Sequence, residues 1–191
     1  MAGVWRIAML ICVFFSATVS TAVYRGGANV NHKYDFVKFF NQSQENIWTY
    51  FSTWNDNFTC ERGIIKNISD RTVVVETNYT INNNTYSCTR EGKLYNVWTR
   101  DGPRNLLAIR NHLNDSLRKD LLYASTDNMC AVIEVGRYHG WPPVTFDLLV
   151  KESQLDGGPS AECVNEYNAA VGTRTIGQEN RTVYYAECRN H

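Results

Sequence analysis

Seven asparagines in this 191-residue chain, Asn41, Asn57, Asn67, Asn78, Asn83, Asn114 and Asn180, stand two places before a Ser or Thr with no proline between. In that pattern the side-chain amide is the acceptor for an N-linked glycan, a modification made in the secretory lumen on a solvent-facing asparagine. Three of the seven fall among turn-forming residues: Asn67-Ile68-Ser69-Asp70, Asn82-Asn83-Asn84 and Asn114-Asp115-Ser116. The set therefore points to secretion and marks positions that face away from a core.

Thiols are the second reactive set. Cys12 lies in the N-terminal apolar segment, and Cys60, Cys88, Cys130, Cys163 and Cys188 remain beyond it. Five is odd, so an oxidising compartment would give two disulfides and one leftover thiol, either free or joined to a second chain. Spacing alone does not give the connectivity. No Cys-x-x-Cys pair suggests a zinc or redox site, and His32, His112, His139 and His191 form no metal spacing. Gly-x-Ser-x-Gly, His-Glu-x-x-His and phosphate-loop patterns are absent as well. The chain reads as a binding protein rather than an enzyme, with no cofactor and no metal. Its 19 basic and 19 acidic residues leave no basic field to attract nucleic acid or a membrane surface.

The elements that would position these groups begin after a signal peptide. Arg6 supplies the positive start, Ile7 to Phe15 the apolar run, and Ser16 to Ala22 a small-residue stretch with a cleavage site after Ala22. The apolar run is far short of the ~20 residues that span a bilayer. Residues 23–191 then form one domain. Eight segments rich in β-branched and aromatic residues follow one another: Asn46 to Trp54, Cys60 to Ile68, Arg71 to Thr80, Thr85 to Thr99, Arg104 to Asn111, Lys119 to Ser125, Cys130 to Tyr138 and Val144 to Lys151. Helices are expected at Tyr34 to Gln42 and at Ser160 to Val171, the second capped by Ser160 and stopped at Gly172; Thr182 to Glu187 resembles a last strand. Eight strands without intervening helices predict an all-β antiparallel meander. Closed into an up-and-down barrel it would hold one small ligand; folded as two sheets it would have a solid core. With Asn78 facing outward, Val73, Val75, Thr77 and Tyr79 would form an inner row.

Around the cysteines the chain resembles one family. Asp56-Asn57-Phe58-Thr59-Cys60, Asp127-Asn128-Met129-Cys130-Ala131-Val132-Ile133, Glu162-Cys163-Val164-Asn165-Glu166-Tyr167, Val171-Gly172-Thr173-Arg174 and Tyr185-Ala186-Glu187-Cys188 are similar to segments of tick salivary lipocalins of the histamine-binding group. The resemblance spans Asp35 to Cys188 and is strongest in the last third, although the Gly-x-Trp signature of other lipocalins is missing at Trp48. It implies an eight-stranded barrel with the second helix outside and bridges Cys60 to Cys188 and Cys130 to Cys163. Cys88 is then the odd thiol, read as a buried small side chain, with a Cys88-linked dimer as the alternative to a monomer.

Amine-binding members of that group tend to carry Cys-Asp on the seventh strand and Glu-Leu-aromatic on the eighth, since a buried ammonium needs carboxylates and aromatic faces. Here Ala131 stands in the Asp position, Asp147-Leu148-Leu149 replaces the triplet, and Leu106, Leu107 and Ile109 occupy the fifth strand. Asp147 is the surviving acid, with Asp120 expected near the mouth. The resemblance, which extends to Japanin-like members, therefore implies an apolar guest such as a sterol or other lipid, and modulation of host immune cells. Amine scavenging and action through the surface on a host protein are the alternatives. The residues expected to meet the ligand are Tyr50, Tyr79, Tyr95, Trp98, Leu107, Ile109, Tyr123, Ala131, Asp147 and Leu149, with Leu148 also counted toward the apolar wall.

Overall fold

The computed structural model describes residues 33–41, 45–96, 98–99, 101–110, 116–137, 144–174 and 179–190. The expected signal peptide, Asn114 and all four histidines lie outside the described residues. Helix α1 (Phe36–Asn41) precedes eight strands: β1 (Ile47–Ser52), β2 (Phe58–Ile68), β3 (Thr72–Ile81), β4 (Asn84–Tyr95), β5 (Leu106–Arg110), β6 (Ser116–Ala124), β7 (Cys130–Arg137) and β8 (Val144–Lys151). A 3-10 turn at Glu152–Gln154, helix α2 (Ala161–Arg174), a two-residue β9 (Arg181–Thr182) and a second 3-10 turn at Ala186–Asn190 complete the order. Each strand pairs antiparallel with the next, β8 pairs with β1, and Ile47 of β1 lies opposite Gly63 of β2. That last pairing closes the sheet, so the meander is a barrel and not a two-sheet sandwich.

Local chemistry explains the joints. Asn82 and Asn83 have φ of 50° and 64°, and Ile81 faces Asn84 across the ladder. Two consecutive left-handed residues are what a two-residue hairpin matched to strand twist requires, and Asn tolerates that conformation. Ser160 caps α2 as expected, accepting at Oγ from Cys163 N at 3.2 Å. Gly172, however, does not stop the helix, which runs on to Arg174. A glycine costs only about 1 kcal/mol in a helix interior, and this one is exposed with no packing to lose. The expected C-terminal strand is also shorter: after β9, the amides of Val183 and Tyr184 both reach Tyr50 O, and the chain turns to bring Cys188 to Cys60.

Strand alternation sorts the apolar residues into two cores. Inside the barrel, Phe36, Phe39 and Phe40 of α1 pack with Leu94, Leu121, Ala131 and Ile133. Outside, Trp48, Val132, Phe146, Leu148 and Val150 pack with Leu155, with Cys163 and Tyr167 of α2, and with Tyr184. β7 and β8 are thus apolar on both faces, and α2 is fixed to β7 by the Cys130–Cys163 disulfide. The second bridge, Cys60–Cys188, ties the C-terminal turn to β2. Both pairings are those the family resemblance implies, and Cys88 is left free.

Candidate ligand-binding cavity

One half of the barrel is filled by the α1 phenylalanines; the other half holds a cavity of about 540 Å³. Its apolar lining includes Phe40, Ile47, Ile65, Val75, Leu107, Ile109, Leu117, Val135 and Leu149. Trp54, Phe58 and Ile81 stand at the strand ends away from α1, where the cavity meets the loops. Such a volume, mainly apolar with a few polar groups, suits a small organic molecule.

The polar lining is charged, and most of it went unmarked in the sequence. Asp56, Glu61 and Asp147 contribute carboxylates; Arg90, Lys119 and Arg137 contribute cations. Glu61 faces inward because of a bulge. The β2–β3 register slips between Thr59 and Arg62, and Cys60 takes a positive φ of 53°. This extra residue turns Cys60 outward to its disulfide while Phe58 and Glu61 both line the interior. A left-handed non-glycine costs roughly 1–2 kcal/mol, and Cys60 is held there by its bridge and by a 2.9 Å bond from its amide to Val183 O.

Glu61 Oε1 accepts from Thr49 Oγ1 at 2.8 Å, and Asp147 Oδ1 accepts from Ser52 Oγ at 2.6 Å. Burial holds the Glu61 carboxyl above its usual range; Lys119 opposes the shift, Asp147 adds to it, and the Thr49 bond and Arg137 oppose it. Toward the loops, the Arg137 guanidinium lies 3.7 Å from the centre of the Trp54 ring and donates to Thr145 Oγ1 at 2.8 Å. Cys88 also lines the cavity, on β4 opposite Thr77 and two residues before Arg90.

Of the residues expected to meet a ligand, Tyr79, Leu107, Ile109, Asp147 and Leu149 line the cavity together. The others are placed elsewhere. Tyr50 sits at a bulge in β1, between Thr49 and Phe51, and stacks on Tyr184 outside the barrel, with ring centres 5.7 Å apart. Tyr95 alternates with the inward Leu94 and is 45% exposed. Trp98 lies beyond the end of β4, where Asn96 Oδ1 binds its amide, and is 71% exposed. Tyr123 is turned to the outer core by a bulge in β6 and meets the Tyr34 ring edge-on. Ala131 does belong to the interior, but among the residues packed around the α1 phenylalanines and not on the cavity wall. Leu148 faces the outer core, and Asp120 pairs with Arg118 on the face opposite Lys119. The missing acid at Ala131 therefore says nothing about the charge of the cavity.

Among the sequons, Asn41, Asn57, Asn67, Asn83 and Asn180 are exposed and Asn78 is half-buried on β3. Asn180 Oδ1 accepts from Tyr167 Oη at 3.0 Å.

No protein-family model matches the sequence, and no curated protein matches it. Solved structures do match the fold. A serotonin complex of AM182 superposes with a TM-score of 0.56 at 13% identity, covering 76% of this chain and 85% of that one. The siderocalin Ex-FABP, which functions through dual ligand specificities, gives 0.56 at 10% identity over 75% and 95% of the two chains. The bovine lipocalin allergen Bos d 2 gives 0.54 at 10% identity over 75% and 93%. The closed up-and-down barrel with a helix packed outside is the lipocalin fold.

Proposed function

We propose that this protein is a secreted lipocalin that sequesters one small ligand inside its barrel. The observation that carries this reading is the cavity of about 540 Å³ bounded by Ile47, Val75, Leu107, Ile109 and Leu149. Each CH₂ moved from water onto such a wall contributes about 0.8 kcal/mol, so a ligand with a sterol- or lipid-like apolar body gains most from it. The sequons and two disulfides support an extracellular setting, and no described helix is long and apolar enough to cross a membrane. Read with the resemblance to tick salivary lipocalins, the role is removal of a mediator at the feeding site and modulation of host immune or inflammatory responses.

A second reading, capture of a biogenic amine, is favoured by Glu61 and Asp147, whose carboxylates line the same cavity. An uncompensated buried ammonium costs several kcal/mol, and these acids offset that cost. Action through the surface alone would leave the cavity without a purpose. Native mass spectrometry of protein from a eukaryotic secretory host, followed by organic extraction, tests the proposal. The expected result is one non-covalent adduct per chain, or its uptake from an added lipid or amine library. A barrel that never carries a small molecule in either experiment contradicts it.

A further inference from the structure

Four of the six charged residues that line the cavity fall on opposite walls by sign; the other two, Asp56 and Arg137, lie toward the loops, with Arg137 on β7 beside β8. Going round the ring of eight strands, Glu61 is on β2, Asp147 on β8, and Thr49, which bonds Glu61, is on β1 between them. This makes an acidic wall. Lys119 is on β6 and Arg90 on β4. In an eight-strand ring β6 lies diametrically across from β2, and β4 across from β8. Each carboxylate is thus opposed by a cation on the far wall.

These opposed charges act on one another across the cavity, as Lys119 does on Glu61, without closing a direct ion pair. Among the described residues no ion pair joins Glu61 or Asp147 to Lys119 or Arg90; the hydrogen bonds given for the two acids come from the uncharged hydroxyls of Thr49 and Ser52, with Arg137 and Arg181 acting at longer range. Lys119 stands in register between Leu107 on β5 and Val135 on β7, with no carboxylate beside it on either strand. Arg90 faces Val75 across the ladder, and its Nε is buried without a hydrogen-bond partner. Buried charges are costly unless paired, and the separation leaves both signs available to a third party.

We infer that the cavity is built for a zwitterionic ligand, one that presents an ammonium to Glu61 and Asp147 and an anionic group to Lys119 and Arg90 while its apolar body packs on the remaining wall. This rests on the small-ligand reading above and names the ligand's chemical class. A simple amine would satisfy one wall and leave Lys119 and Arg90 uncompensated. A fatty acid would do the reverse, and a neutral lipid would desolvate both. Burial raises the Glu61 carboxyl pKa even with Lys119 and Arg137 opposing the shift, so the acid still gains from a further cation.

Calorimetric titration with four probes on one decyl chain separates these cases: N-decylglycine, decylamine, decanoate and decanol. N-decylglycine should bind at least tenfold more tightly than each of the others. Glu61→Gln should erase its lead over decanoate, and Lys119→Met its lead over decylamine. Equal or tighter binding of any singly charged or neutral probe by the native protein overturns the zwitterion inference and leaves small-ligand binding intact. No binding of any of the four overturns both.

Discussion

Glu61 on β2 accepts a 2.8 Å hydrogen bond from Thr49 on β1, at the seam where the last strand pairing closes the barrel. One hydroxyl does not replace the water that a carboxylate loses on burial, so the folded-state pKa lies above its unfolded value. A raised acid favours folding while it stays protonated. That contribution is fully present below the unfolded value of about 4.3 and is lost as pH rises through the folded pKa.

Glu61→Gln should therefore make the empty protein more stable than the native chain at neutral pH, with the difference shrinking as pH falls toward 4. Thermal melting from pH 4 to 8 measures this. The same variant should bind cationic ligand groups less well, because it removes a carboxylate from the cavity wall.

Removing the bridges should cost stability in order of loop length. Cys60 and Cys188 are 128 residues apart and Cys130 and Cys163 are 33 apart. In the chain-entropy model the double serine variants lose about 5 and about 4 kcal/mol respectively. Denaturant unfolding gives both numbers. Losing Cys130–Cys163 should also free α2, raising amide exchange in Ala161–Arg174 above that in β7.

Cys88 should be the single thiol modified by iodoacetamide in denatured, unreduced protein. Because its side chain lines the cavity, a second chain's thiol would have to enter the barrel to pair with it. Non-reducing electrophoresis should show a monomer, and a bound ligand should slow alkylation of Cys88 in the native state several-fold.

The barrel was legible in the sequence because its signals are local. Strand composition, the Asn82-Asn83 turn and the Ser160 cap each act within a few residues. Val144 to Lys151 even matches β8 at both ends. The cavity was less legible because the side a residue faces depends on strand parity, and a single bulge inverts it. The bulges at Tyr50, Cys60 and in β6 leave no mark in composition; they send Tyr50 and Tyr123 outward and Glu61 inward. On the regular β3 the parity argument from Asn78 does place Val75, Thr77 and Tyr79 on the cavity wall. The Asp-position argument failed at Ala131 for a different reason. α1 fills that end of the barrel with three phenylalanines, which a strand-by-strand reading does not count.

Gly63 offers the most direct test that binding occurs inside the barrel. It lines the cavity, and a Cβ added there would meet Val75 Cγ1 at 3.5 Å and Ile47 O at 3.8 Å, both ordinary contacts. A leucine side chain at this position would project into the cavity, with little strain on the wall. Calorimetry with the ligand extracted from native protein, or with the tightest-binding probe, should give one site per chain in the native protein. Binding should be lost by more than a hundredfold in Gly63→Leu, while the melting temperature stays within a few degrees. Undiminished binding by a folded Gly63→Leu protein would place the ligand outside the barrel and contradict the account.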